Sequence, residues 1–445
     1  MPVMALVVLS SLAVAQDSAL DWPAVEKEAA GMLEQMVRTS TCNPPGDVTQ
    51  AVACLERILK REGIFSLRYV ANEPSGLINL LARFPGTTVG MKPLLILAHM
   101  DTVQAVPSRW KFPPFDAGIR EGEMWGRGTL DMKGQLVIAL ETVLNMKRGG
   151  YRPERDVLML FDCDEETGGE SGAAWMVRHH YADLNPEFVL DEGAPGSNGL
   201  YTGDGRTVFG VAVDEKKVLW LRVTATGDPG HGSMPGKRNA PAKLAIAMAK
   251  IAKLSFPSRD TAVVAEMRRR LGKLADNSVV RALERTTVTV TSLSAGVGSP
   301  PSVNAIPGTA SATIDCRLLP GDAPKSVLDR IRECLDDPDL KLEVIQAPVV
   351  FPPQSPQSPL FDAIEGAVTA EVPGAVTVPV LIAGGTDSRF FRENGAQAYG
   401  FEPMVRSAAE QELIHGDNER IRMAEFYRGL RIYNRLLRDF LKVPQ

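Results

Sequence analysis

The sequence predicts an α/β protein, a mainly parallel sheet with helices on both faces, plus an inserted α+β domain of βαββαβ order. Three observations predict it. Short apolar runs without polar alternation, at residues 94–98, 157–161 and 188–190, read as strands buried on both faces. Helical periodicities alternate with these runs, the pattern of parallel strands joined by crossover helices. From about residue 217 the texture shifts to longer strands, and it shifts back after a proline-rich stretch at 348–359. At 445 residues the chain exceeds one ordinary core. We therefore divide it into a leader (1–15), a first part of the larger domain (16–215), an inserted domain (216–348) and a second part of the larger domain (349–445).

Taken in order, residues 1–15 are almost wholly apolar and end Ala13-Val14-Ala15, a small-x-small pattern of a secretory signal peptide without the usual basic residue at its start. Export to the periplasm or medium is the expectation, and a cytoplasmic location follows if the segment is not a signal. Asp21-Trp22-Pro23 opens a helix with Val25, Ala29, Met32, Leu33 and Met36 at helical spacing, broken by Asn43-Pro44-Pro45-Gly46. A second amphipathic helix runs to about Arg61, and strands near 65–70 and 76–83 lead to the buried run at 94. The glycine-rich loop 126–134 feeds a helix to about Lys147, so Asp131 stands just before a helix N-terminus. Within the inserted domain, strands near 218–225, 286–293, 310–318 and 340–347 and helices at 240–254 and 324–335 give the βαββαβ order, with an extra charged helical stretch at 261–284.

Bulk composition, 44% hydrophobic and 23% charged, is that of a globular protein. A net charge of -5 offers no electrostatic case for nucleic acid or an anionic membrane, and no later apolar stretch is long enough for a membrane span. Five cysteines are too few for a disulfide scaffold. Cys42 and Cys54 flank a Pro-Pro-Gly turn and could pair in an exported protein, and the absence of Cys-x-x-Cys argues against a thiolate zinc site.

The chemistry gathers at strand ends. The run at 94–98 leads into His99 and Asp101, which alternate onto one side. The run at 157–161 ends in Asp162-Cys163-Asp164-Glu165-Glu166, and the one at 188–190 in Asp191-Glu192. In open α/β sheets ligands bind at the carboxyl edge of the strands. His99, Asp131, Glu165, Glu166, Asp191 and His415 collected there would repel one another without bound cations. Imidazole and carboxylate donors suit zinc, with cobalt or manganese as substitutes. Alone, each residue has a plainer role: a helix cap for Asp131, a solvated acidic turn for Glu165-Glu166, a loop residue for Asp191 or His415. His179-His180 read as a helix end, not as ligands.

His99-x-Asp101, the Gly126-Arg127-Gly128-x-x-Asp131-x-Lys133-Gly134 loop, Asp164-Glu165-Glu166-x-Gly168, Asp191-Glu192 and His415-Gly416 resemble, in order, the dizinc aminoacylase/carboxypeptidase superfamily. That group includes glutamate carboxypeptidase, acetylornithine deacetylase, succinyl-diaminopimelate desuccinylase, aminoacylase and yeast carboxypeptidase S. The resemblance implies that His99 and Asp191 hold one zinc, Glu166 and His415 the other, and Asp131 bridges both. It makes Asp101 the residue that orients His99, and Glu165 the general base for a metal-bridged hydroxide that attacks an amide carbonyl. It also makes the inserted domain a lid through which a homodimer forms. Gly230-His231-Gly232 resembles a lid loop whose histidine stabilises an oxyanion, and Asn304 and Arg317 match lid positions that contact substrate. Gly384-Gly385-Thr386-Asp387 is expected beside the site, with Gly385 and Thr386 facing a substrate carboxylate. The implied substrates are N-acyl amino acids or short peptides with a free carboxylate, and the Gly-Gly-Thr-Asp-Ser-Arg segment points to the carboxypeptidase S and N-acyl-amino-acid hydrolase branch. A biosynthetic deacetylase or desuccinylase and a catalytically silent metal-binding relative are the alternatives. Assay of acyl-amino acids and dipeptides with and without chelator separates them.

Overall fold

The computed structural model describes residues 20–442, so the expected leader lies outside the described residues. The larger domain is built on an eight-stranded mixed, mainly parallel sheet. Its order is Phe65–Asn72, Leu77–Phe84, Val157–Asp162, Leu94–His99, Phe188–Ser197, Gln397–Val405, Val208–Glu215 and Val376–Ile382. The four central strands from Val157–Asp162 to Gln397–Val405 run parallel, and an antiparallel hairpin extends one edge.

Alternation explains why the apolar runs sit where they do. In Leu94–His99 every residue is buried. Leu94, Ile96 and Ala98 join the main core, whereas Leu95 and Leu97 join a second cluster on the opposite face. Helices Lys133–Arg148, Met423–Phe440 and Trp22–Arg38 cover the first face. Ala173–Leu184 and Ser388–Glu393 cover the other. A strand with two apolar faces needs a helix layer on each side.

The chain leaves this sheet at Glu215 and enters a separate four-stranded antiparallel sheet, ordered Thr287–Ala295, Thr309–Leu318, Lys217–Thr226 and Lys341–Gln346. Ala240–Ile251 and Pro324–Leu335 cover one face and close a small core of their own. A short ribbon pairs Gly230–His231 with Ala305–Ile306. The charged stretch behaves differently from the rest of the insertion. Its helices, Ala262–Leu271 and Ser278–Leu283, turn Val263, Val264, Met267, Leu271, Val280 and Leu283 into the core of the larger domain. All five cysteines are free, so Cys42 and Cys54 are not paired. Among the described residues, no helix is long and apolar enough to cross a membrane.

Candidate active site

His99 ends its strand with the ring buried, and Nδ1 lies 3.0 Å from the backbone oxygen of Asp101. That contact places the ring proton on Nδ1 and leaves the Nε2 lone pair free. Nε2 then faces Asp131 Oδ1 at 3.0 Å and Glu192 Oε2 at 3.8 Å. On the other side of Asp131, Oδ2 lies 3.2 Å from His415 Nε2, which is itself 3.0 Å from Glu166 Oε2. Two donor groups result, His99/Asp131/Glu192 and Asp131/Glu166/His415, and they share Asp131.

The electrostatics call for cations. Asp131, Glu165, Glu166 and Glu192 crowd one partly buried place. Burial and the Asp131 charge push Glu192 up to about 8 and lift Glu166 above its ordinary range. Burial, Glu192 and Asp387 lift Glu165 well above it. Hydrogen bonding to Asp131 and Glu166 pushes His415 up to about 11. For His99 burial opposes the charge, but Asp101, Asp131 and Glu192 outweigh it and raise the ring well above its usual value. Acids held protonated and imidazoles held charged are what such a cluster does when protons must substitute for bound cations. The carboxylate and imidazole donors, within 4.8 Å of one another in each group, fit a dinuclear metal site.

The expected ligand Asp191 is not in either group; its neighbour Glu192 is. Strand parity and a bulge explain the exchange. Val189 belongs to the cluster beneath Ser388–Glu393, and Asp191, two residues on, turns to the same side. Its Oδ2 accepts from the backbone N–H and the hydroxyl of Ser388, both at 2.9 Å. Pairing with the next strand then slips: Gly400 lies opposite Asp191, but Phe401 lies opposite Ala194. The unpaired Glu192 and Gly193 swing Glu192 toward His99. Gly193 passes the backbone of Gly400 so closely that a Cβ there would sit 2.7 Å from it.

Asp101 has a broader task than orienting His99. Its carboxylate is 3.5 Å from Nδ1, farther than its own backbone oxygen. It accepts from Asn43 Nδ2 at 2.8 Å and from the backbone N–H groups of Glu165 and Glu166, each at 3.3 Å. The residue thereby holds the acidic turn that carries two site carboxylates. Asn43, which in the sequence marks only a helix break, also reaches Asp164 and Thr167.

A buried ion pair fixes the other two loops. Arg127 Nη1 meets Glu419 Oε2 at 2.6 Å, both side chains nearly inaccessible. Glu419 also accepts from the N–H groups of Gly128, Leu130 and Asp131, while Arg127 Nη2 donates to the oxygen of Gly416. One pair thus ties the loop of Asp131 to the loop of His415. Glu419 stands four residues beyond His415, and its signal, a carboxylate in a loop just after a ligand, is too common to single out.

Glu165 projects into the same cavity of about 580 Å³ as Asp131, Glu166, Glu192 and His415. Its Oε1 lies 3.8 Å from Arg389, whose guanidinium is also held by the oxygens of Thr386 and Gly168. Gly385, Thr386 and Arg317 line the cavity as well. The Arg317 guanidinium already engages Asp315 at 2.8 Å. His231 and Asn304 are not brought to the site within one chain. Both are exposed, His231 on the short ribbon and Asn304 just before its second strand, where Gly232 N–H donates to Asn304 O and His231 Nδ1 meets the Ser233 hydroxyl at 2.7 Å. His180 packs on Trp175 and Tyr69, away from the cluster.

Comparison with known proteins places this geometry. Residues 95–439 match the model of peptidase family M20/M25/M40. The chain is 31% identical to aminoacylase-1 of Mus musculus over 428 residues, 95% of this chain and 97% of that protein. It is 28% identical to a probable carboxypeptidase S-like 2 of Dictyostelium discoideum over 394 residues, 81% and 74% of the two chains. Its fold matches an M20 family metallo-carboxypeptidase, Sso-CP2, from Sulfolobus solfataricus with a TM-score of 0.72 at 19% identity, covering 93% of this chain and 99% of that one. With four donors around a shared aspartate and a family match over most of its length, the chain belongs to peptidase family M20/M25/M40 and is a metallohydrolase of the aminoacylase and carboxypeptidase kind.

Proposed function

We propose that this protein hydrolyses the amide bond of N-acyl amino acids or of short peptides with a free carboxylate, and that its two metal ions are zinc. His99, Asp131 and Glu192 would hold one ion, and Asp131, Glu166 and His415 the other. The observation that carries the reading is Asp131, whose two oxygens face different histidines at 3.0 and 3.2 Å. When bound, paired divalent ions polarise a carbonyl and make water acidic near neutral pH.

The chain's own residues do the rest. Glu165, in the cavity yet in neither donor group, takes the proton of the attacking water and hands it to the departing nitrogen. Arg389 restrains Glu165 and leaves its second oxygen for the proton. Arg317, Gly385 and Thr386 lie where the amino-acid half of a substrate would rest, and the Arg317 fork suits a carboxylate once Asp315 yields it. His231 and Asn304 enter the reaction only if a second copy presents them, the homodimer implied by the resemblance. Mixing a His231→Ala protein with an inactive Glu165→Gln protein tests that, since shared sites restore activity in the mixture and separate sites do not.

The deciding experiment is Glu165→Gln. Hydrolysis of N-acetylleucine should fall about 10²–10⁴-fold while metal content, read by atomic emission, stays at the wild-type level. Activity that survives either this change or exhaustive chelation sinks the reading.

A further inference from the structure

A buried carboxylate stands where the chain leaves the large sheet, and the hydrolytic reading gives it no task. Glu215 ends the strand Val208–Glu215 and is 1% exposed. Its Oε1 accepts from Arg392 Nη1 at 2.9 Å, and Arg392 directs its other donors to the oxygens of Ala212 and Ala398. Its Oε2 accepts the backbone N–H of Thr386 at 2.5 Å. Lys216, the next residue, donates its own N–H to Ile382 O at 3.0 Å. Two consecutive residues therefore pin the corner 382–386 on both sides of Gly384 and Gly385. The corner is wedged as well. A Cβ on Gly385 would lie 2.9 Å from the Val218 side chain and 3.3 Å from Arg389 Nη1.

From this corner a chain of contacts leads to the acidic turn. Arg389 Nη1 donates to Thr386 O at 2.7 Å, and Nη2 donates to Gly168 O at 3.0 Å. The guanidinium thus spans corner and turn, which leaves it 3.8 Å from Glu165 Oε1. Arg389 is buried, so the direction of Thr386 O decides where its charge lies. An ion pair in the interior adds little stability over apolar packing of the same shape. What the Glu215 carboxylate supplies, and an apolar side chain would not, is an acceptor under one particular N–H.

We infer that Glu215 is a positioning residue for Glu165: it fixes the Thr386 corner, the corner fixes Arg389, and Arg389 sets the carboxylate that moves the proton. The inference rests on the amidohydrolase reading and gives the root of the inserted domain a part in turnover. Glu215 is in neither donor group and does not line the cavity, so its influence must pass through Thr386 and Arg389.

The test is a double-variant cycle on the hydrolysis of N-acetylleucine. In Glu215→Gln the amide oxygen stays with the Arg392 charge, and the amide nitrogen turns a donor on the Thr386 N–H. Arg389→Lys keeps the positive charge but cannot reach Thr386 O and Gly168 O together. Each change should lower kcat about 10²-fold, the scale of a group displaced by about an ångström, with zinc content at the wild-type level. The double variant should be no slower than the slower single one, because both break the same chain, whereas independent effects multiply. Should Glu215→Gln not fold, Glu215→Asp, which keeps the charge and shortens the reach, takes its place in the cycle. The corner is read without turnover in crystal structures of the zinc-loaded wild type and Glu215 variant, where Arg389 should withdraw from Gly168 O and Glu165. That displacement, in a protein whose wild type hydrolyses no acyl amino acid, supports the positioning chain while the hydrolase reading falls. Unchanged kcat, losses that multiply, zinc lost along with activity, or an Arg389 that stays in place overturns the inference.

Discussion

Asp131 has one oxygen toward His99 and the other toward His415, so the site's two halves share one carboxylate. The neighbouring acids then divide by direction. Glu192 faces that shared group, whereas Asp191 is held by Ser388 on the far side of the strand. Glu192→Gln should therefore lose about half the bound metal and nearly all turnover. Asp191→Asn should retain both metals and weaken activity about tenfold at most, because it keeps a side-chain oxygen for Ser388. Metal analysis after gel filtration reads the difference, and equal losses in the two variants would refute the division. Much of the site was legible at this scale. His99, Glu165 and Glu166 each follow an apolar run and Asp131 lies in a glycine-rich loop, His415 came from the resemblance, and the structure gathers all five in one place. The choice between Asp191 and Glu192 was not, since it depends on a register slip against Gly400 and Phe401, strand partners more than two hundred residues away.

At the scale of elements, strand and helix periodicity carried most of the information, because a strand with two apolar faces or a helix with one stripe announces its burial locally. Loops announce little. The loop of Asp131 takes its shape from Glu419, which accepts three of its N–H groups and pairs with Arg127. Glu419→Gln keeps the side-chain shape but leaves the Arg127 charge buried without a counter-charge. We expect a stability loss of about 3–5 kcal/mol, read by urea unfolding. We also expect a 10–100-fold weaker affinity for metal, as for other residues that orient ligands. The second readout separates positioning from plain support. A destabilised protein that binds metal with wild-type affinity would show that the loop holds its shape without Glu419. The ribbon with His231 and Asn304 makes the complementary point, for a motif recognised in sequence specifies a loop and not which site that loop serves.

For the whole molecule, what the sequence hid was the route of the charged insertion. In the sequence it is an extra charged helical stretch within the second domain, but its apolar positions are spaced to pack, and they pack on the first domain. The insertion thereby returns as a strut between the two cores, and Lys216 sits at its foot. This lysine is the step from Glu215 of the large sheet to Lys217 of the small one, and it donates to Ala282 O, Arg285 O and Thr287 Oγ1 at 2.8–3.0 Å. Burial, helped by the Arg317 charge, pushes the ammonium down to about 7 from an ordinary 10.5. The sign of the resulting pH dependence is fixed. Between those values the unfolded chain binds a proton that the folded chain has released, so stability rises with pH across that window and the cost of the buried charge is felt in full below it. Lys216→Met abolishes this one titration. Comparing urea unfolding at about pH 6 and about pH 9, the wild type should gain about 2–3 kcal/mol more than the variant. The variant also strands three acceptors, a loss expected at both pH values, so only the difference between the two conditions reports the proton. Parallel pH profiles for the two proteins would mean that the junction holds Lys216 charged, and that the strut is secured by an ammonium rather than by a neutral amine.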